Sequence, residues 1–319
     1  KLSFSLYKKL ITDKIWLKAR EKMGYRVPKN SYLMLAFAGQ PYIDTRLSLN
    51  SFLPSNLPNS ISEKLINFWL EKFKKNPILH DKIEFELAIT CYSFDLSSKM
   101  KKLVGNNLNL KEKEIYKKSL MELTKKFLDT ESNFSIKSEL EKIARLEKKQ
   151  KKFKNLGDLD QLNELIYDCK IFGTLPFSIL ARHGFVGITL LNSLEQLKII
   201  SNKEKNLFLN NIRTIATDMI EDLNNINNDK NKKLSFLQKY GHLRPGTYDI
   251  MSRSYDEMSY FRNKKKIKLK KNKIFKLKIA QKKLINKILK KNKFKDFDYN
   301  NLLNYIYTSI SAREYSKFI

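Results

Sequence analysis

The sequence predicts a mainly α-helical protein, a helical bundle with a small β-sheet in its N-terminal third (α+β), and three observations carry that reading. Glycine and proline number 9 and 7 in 319 residues, well below average usage. Long runs of Lys, Glu, Leu, Ile and Asn place apolar residues at three- and four-residue spacing. Extended patterns occur only before residue 100.

Taken in order, Leu2 to Met23 reads as a helix, with Leu6, Leu10, Ile15 and Leu17 on one side and Gly24 as its stop. Tyr32 to Ala38 is a short apolar run whose length suits a buried strand. In the following GQPYIDTRLSLNSFLP, Gly39 to Pro54, extended backbone would put Asp44, Arg46, Ser48 and Asn50 on one face. Such a row is either a polar wall for a small substrate or a solvated strand face with an Asp44/Arg46 ion pair. Ser60 or Ser62 is positioned to cap a helix running to about Lys75, with Ile61, Leu65, Phe68 and Trp69 buried. Lys82 to Tyr92 alternates, with Ile83, Phe85, Leu87, Ile89 and Cys91 facing one way. On that strand Glu84 and Glu86 would stand about 7 Å apart, a spacing open to acid/base work or to plain solvation.

Leu110 to Lys154 reads as a charged helical hairpin, Gly157 as a hinge, and Leu159 to Cys169 as the next helix. Phe172 to Leu194 is the most apolar part of the chain, and Pro176 suits a first helical turn. From Phe177 to Leu191 its only ionisable residues are Arg182 and His183. A buried guanidinium must meet a carboxylate or a bound anion, so Arg182 is either paired internally, for instance with Asp249, or a substrate ligand. His183 is a core histidine or a ligand. Ser201 to Leu223 continues the bundle, and Asn224 to Lys233 is a polar loop. Leu284, Ile288 and Leu289 mark an amphipathic helix, and a last helix runs from about Tyr299, with Leu302, Leu303, Ile306 and Ile310 inward.

Composition and pattern divide the chain into a mixed part (1–100), the hairpin (101–158), a helical core (159–262) and a basic helical segment (263–319). It opens on Lys1 and closes within a helical pattern, as a piece of a longer protein would. The formal net charge is +30, and the run from Arg262 to Lys295 holds 17 basic residues and no acidic one. Phe275 and Phe294 alone do not make a base-stacking platform, so nucleic-acid binding is the lesser reading of this charge and a solvated face the greater. Cys91 and Cys169 form neither a metal-ligand pair nor a disulfide framework. No run of 18 uncharged apolar residues occurs, so the expectation is a cytoplasmic protein without a membrane span.

The chain is organised around Phe236 to Glu257, FLQKYGHLRPGTYDIMSRSYDE. Gly241, Pro245 and Gly246 break the helix that Leu234 to Tyr240 forms, leaving His242, Arg244, Tyr248 and Asp249 on an irregular connector. Connectors of this kind aim several side chains at one point; a capping loop with an Arg244–Asp249 pair is the alternative.

YGHLRPGTYDI followed by YDE resembles a segment of phosphoenolpyruvate synthase-like proteins, relatives of pyruvate phosphate dikinase and of rifampicin phosphotransferase. Gly39 to Pro54, Phe172 to Leu191 (FGTLPFSILARHGFVGITLL) and Ala312 to Phe318 (AREYSKF) agree with it in the expected order and span nearly the whole chain. The resemblance implies the central segment of a longer enzyme, preceded by an ATP-grasp domain and followed by a swivelling domain with a phosphate-carrying histidine. Such enzymes pass phosphate from ATP, with Mg2+, to the histidine and then to an acceptor, releasing AMP and phosphate. His80, His183 and His242 lack the Thr/Gly-rich surroundings of that histidine, and no phosphate-cradling loop is present, so ATP and Mg2+ would bind outside this segment. Its role would be to hold a small-molecule acceptor and dock the phosphohistidine domain. Arg46, Arg182 and Arg244 are then candidates for anion contacts, with His183 beside them, and Asn50, Tyr248 and Asp249 for orienting the acceptor. His242 is the candidate proton acceptor. The chain has no alternating strand and helix pattern for a pyruvate-binding barrel, which favours another small polar acceptor, glutamine being the first to try. A basic nucleic-acid-binding protein and a ligand-free spacer are the rival readings.

Overall fold

The computed structural model describes residues 2–28, 32–150, 158–226, 229–244, 251–257, 274–294 and 297–318. It is mainly helical, with one small antiparallel sheet near the N-terminus among the described residues. The helices are α1 (Leu2–Tyr7), α2 (Ile15–Lys22), α3 (Thr45–Asn50), α4 (Asn59–Lys75), α5 (Leu96–Leu103), α6 (Leu110–Leu128) and α7 (Ile136–Gln150). They continue as α8 (Asp158–Asp168), α9 (Leu175–Gln196), α10 (Asn202–Asn210), α11 (Ile215–Asn224), α12 (Lys230–Tyr240), α13 (Ile279–Lys291) and α14 (Tyr299–Phe318). Two compact units result, one of residues 1–205 with 277–319 and one of residues 206–276. The ARHGF helix and the YGHLR segment, grouped by composition in one core (159–262), therefore fall in different units.

In the larger unit α9 is the central helix, and α2, α7 and α14 pack on it. Its sequence is apolar on every side, and Ile179, Leu180, Val186, Leu190, Leu191 and Leu194 are buried. A π-helical turn, Cys169–Thr174, joins α8 to α9, so 158–196 is one helical stretch long and apolar enough by length and composition to cross a membrane. The partner helix α14 buries Leu302, Tyr305, Ile306, Ser309, Ala312 and Ser316, a stripe richer in small residues than the expected Leu303 and Ile310. Small residues are required there because Gly187 of α9 faces them: a Cβ on Gly187 would lie 2.2 Å from Ser309 Oγ. Gly187→Ala is expected to lower stability by about 1–3 kcal/mol through overpacking, measured as a shift of the urea midpoint. Adding Ser309→Ala should restore most of it, because among the described residues Ser309 Oγ serves only the Ile306 carbonyl of its own helix, at 2.9 Å. A double variant as weak as the single one would locate the limit in the backbones instead.

Several N-terminal expectations need correction. The first helix is broken into α1, a π-helical turn (Lys8–Thr12) and α2. The apolar run at Tyr32–Ala38 does make a strand, β1 (Met34–Phe37), paired antiparallel with β2 (Gln40–Ile43), but it is not a buried one. Only Met34 is buried, because a two-stranded ribbon has no third strand to cover Leu35 and Phe37. The turn at Ala38–Gly39 has φ of 49° and 77°, the left-handed pair that a two-residue hairpin needs.

Residues 45–50 are helical rather than extended. Asp44 sits at the N-cap of α3 and its side chain accepts from the Leu47 amide at 2.8 Å, so a capping carboxylate outweighs the alternating pattern. Neither Ser60 nor Ser62 caps α4; Pro58 holds the N-cap position and Ser62 Oγ donates to its carbonyl at 3.0 Å. The alternating run at Lys82–Tyr92 is not a strand either. Ile83–Leu87 forms a π-helical turn, Ala88 is extended, and Ala88–Tyr92 is buried without joining a strand among the described residues. Side chains replace the missing ladder: Tyr25 Oη donates to the Thr90 carbonyl at 3.1 Å, Tyr116 Oη to that of Ile89 at 2.6 Å, and the Tyr92 amide to Thr124 Oγ1 at 2.8 Å.

The hairpin arms are α6 and α7, with an Asn109–Glu112 capping box at the start of α6. In the smaller unit α11 packs on α12, which buries Phe236 and Tyr240. The polar loop is shorter than 224–233, since Asp229 caps α12 through the amides of Asn231 and Lys232. Gly157, and the basic run from Arg262 up to Lys273, lie outside the described residues.

Candidate functional site

The helical form of residues 45–50 decides which side chains share a face. Thr45 and Ser48, three apart, line a cavity of about 460 Å3 in the larger unit, together with Ile43, Phe52, Glu84 and Phe185. Arg46 and Asn50, four apart, lie together elsewhere on the helix: Asn50 Nδ2 donates to the Arg46 carbonyl at 3.1 Å, and Arg46 Nη1 donates to Asn67 Oδ1 at 2.9 Å. The expected row of Asp44, Arg46, Ser48 and Asn50 is thus split, and its hydroxyl alone reaches the cavity.

Glu84 enters the cavity wall from the π-helical turn, and its carboxylate is gripped by Arg182 of α9. Arg182 Nη2 donates to Oε1 at 2.8 Å and Nη1 donates to Oε2, a two-pronged charge-assisted pair. Arg182 is 2 % exposed, and its guanidinium lies 5.1 to 5.4 Å from the ring centroids of Phe52, Tyr25 and Phe185. Burial alone would lower its pKa; the Glu84 carboxylate more than offsets this, and the guanidinium is held above its ordinary value. Arg20 of α2 stacks on the same Phe52 and Tyr25 rings at 5.0 and 5.5 Å. Burial first, and then Arg182, lower Arg20 to about 10, so it stays cationic at neutral pH. Its Nη1 and the Nε of Arg182 are buried without a hydrogen-bond partner among the described residues. Two guanidinium groups therefore stand behind one carboxylate.

The π-helical turn separates this cavity from a second one of about 370 Å3, and Glu84 and Phe85 line both. The second is a polar cleft crossed by the ion pairs Lys99–Asp95, 3.3 Å, and Lys205–Glu195, 2.5 Å. Cys91 lines it, and burial raises its thiol pKa.

His183, expected as a ligand or a core residue, is fully buried in the core. Its Nε2 lies 2.9 Å from the Phe134 carbonyl and its Nδ1 3.0 Å from Tyr305 Oη, so both nitrogens are engaged. In the smaller unit Arg244 Nε donates to the Ser252 carbonyl at 2.8 Å, and the Tyr255 amide to that of Leu243 at 2.9 Å, folding the segment back after Gly241. His242 is exposed, and its carbonyl accepts from Arg244 Nη1 at 3.4 Å. Tyr248 and Asp249 lie outside the described residues, and the partner of Arg182 is Glu84 instead of Asp249. Sequence reasoning passed over Phe52 and Phe185 as site residues, and raised Glu84 only in a pair with Glu86 on a strand that does not form. The one available signal was a carboxylate inside the apolar run Ile83–Leu87, matched by the need of Arg182 for an anion. Among the described residues no group of three or more His, Cys, Asp and Glu is placed to hold a metal ion.

The chain matches no protein-family profile, no curated protein and no solved structure. Its chemistry rests on this geometry: a largely apolar cavity with two hydroxyls, the His80 imidazole and one carboxylate on its wall, the carboxylate paired with Arg182.

Proposed function

We propose that this chain is the acceptor-binding part of an ATP-dependent dikinase-type phosphotransferase of the cytoplasm. ATP and Mg2+ bind an ATP-grasp domain of the parent enzyme, a swivelling domain carries the phosphate on histidine, and this segment presents the acceptor to it. One observation supports the reading above others: the 460 Å3 cavity is walled by Ile43, Thr45 and Ser48 of GQPYIDTRLSLNSFLP and by Phe185 of ARHGF, two of the stretches that carry the family resemblance. Phosphoryl transfer asks of an acceptor site that it position a nucleophile, and a largely apolar cavity of this size with hydroxyls on its wall suits that task.

The test uses the full-length parent with ATP and Mg2+, following AMP release as acceptors are added, glutamine and pyruvate first and then uncharged alcohols. Acceptor-dependent AMP release is expected, with at least a tenfold loss in Ser48→Trp, which fills the cavity. Formation of phosphohistidine without acceptor should be unchanged in that variant. Absence of acceptor stimulation across the panel overturns the reading.

A further inference from the structure

We infer that the 460 Å3 cavity takes an uncharged alcohol, a small molecule with an apolar body and a hydroxyl group that donates a hydrogen bond to Glu84. The inference rests on the proposed acceptor role and names the class of acceptor. The body follows from the wall, where Phe52, Phe73, Phe85 and Phe185 converge and the one basic side chain is the exposed His80. The hydroxyl follows from electrostatics. Glu84 is the one acidic side chain of that wall, and both of its oxygens already accept from Arg182. A carboxylate oxygen holds a second lone pair, so each can accept one more donor.

The pair as a whole is neutral, which disfavours the charged alternatives at Glu84. An ammonium group would leave water to meet a carboxylate already compensated, with the Arg20 guanidinium adding positive charge behind Phe52. An anionic ligand would face the Glu84 oxygens and would have to evict them to reach Arg182, whose two Nη groups are both taken. A neutral hydroxyl meets neither penalty. Thr45 and Ser48 offer further hydroxyls on the same wall for a second polar group.

Three probes with one body, 3-phenylpropanol, 3-phenylpropylamine and 3-phenylpropanoate, are titrated into the full-length protein and followed by ligand-observed NMR. The alcohol is expected to bind, and the amine and the carboxylate at least tenfold more weakly. Ser48→Trp should abolish alcohol binding. Glu84→Leu combined with Arg182→Met, which removes both charges together and leaves no buried ion unpaired, should weaken it about tenfold, the worth of one lost hydrogen bond. The inference is overturned if no alcohol binding is seen at millimolar concentration, if either charged probe binds as well, or if alcohol binding survives Ser48→Trp. AMP release by the parent enzyme separates this from the phosphotransferase reading. The probe order without any acceptor-stimulated release sustains the ligand class and removes the phosphotransferase. Release stimulated by a charged acceptor and suppressed by Ser48→Trp does the reverse.

Discussion

Glu84→Ala is expected to lower the stability of the chain by about 3 kcal/mol, the scale of breaking a buried ion pair from one side. The cost arises less from the lost bond than from what is left behind. Arg182, 2 % exposed and ringed by Tyr25, Phe52 and Phe185, would then sit beside Arg20 without a counter-charge. Replacing both members, Glu84→Leu with Arg182→Met, should return the urea midpoint to within about 1 kcal/mol of the starting protein, because two desolvation penalties leave with the pair. A double variant as unstable as Glu84→Ala would sink this account, and would mean that the aromatic cage depends on the guanidinium itself. Ligand binding and stability are thereby separable: the double variant should fold and yet lose the hydrogen-bond acceptor of the cavity.

The second large effect is a pH dependence set by His183. Burial holds its imidazole at about 4 against an ordinary 6.5, opposed in part by the hydrogen bond to the Phe134 carbonyl. The neutral ring donates from Nε2 to that carbonyl and accepts at Nδ1 from Tyr305 Oη. Protonation would make Nδ1 a donor as well, which the Tyr305 hydroxyl must then reverse to accept. Because the folded-state value lies below the unfolded one, the contribution is fully present above pH 6.5 and is lost as the pH falls from 6.5 toward 4, where the unfolded chain takes a proton that the folded chain refuses. The expected slope is about 1.4 kcal/mol per pH unit and the total loss about 3 kcal/mol. His183→Gln keeps a donor and an acceptor without a titrating ring. Urea midpoints measured across this window should fall less steeply for that variant; equal slopes would show that His183 does not titrate between the two states.

How far the site was legible follows residue by residue. Helical rows such as Leu120, Leu123 and Phe127 on α6 were readable because a 3.6-residue repeat needs only the chain's own spacing. The helix around Pro176 was readable for the same reason, and with it the requirement that Arg182 meet an anion. Alternation was the misleading signal. At Asp44–Asn50 a side-chain cap turned an apparent strand into α3, and within Lys82–Tyr92 hydroxyls of Tyr25, Tyr116 and Thr124 satisfied a backbone that pairs with no strand among the described residues. A period of two records which faces are apolar, not whether a second strand will be there to pair.

What the sequence by itself determined, then, is a mainly helical protein built around one apolar helix, and a buried arginine on it that cannot stand alone. Both follow from local periodicity and from the cost of an uncompensated charge, which are properties of a segment wherever it ends up. Only the tertiary structure decided that the anion is Glu84, 98 residues earlier, and that Thr45, Ser48, Phe52 and Phe185 line a cavity beside it. Partners that far apart in the chain are chosen by packing, since any of the 33 acidic residues satisfies the charge requirement and only one arrives at 2.8 Å.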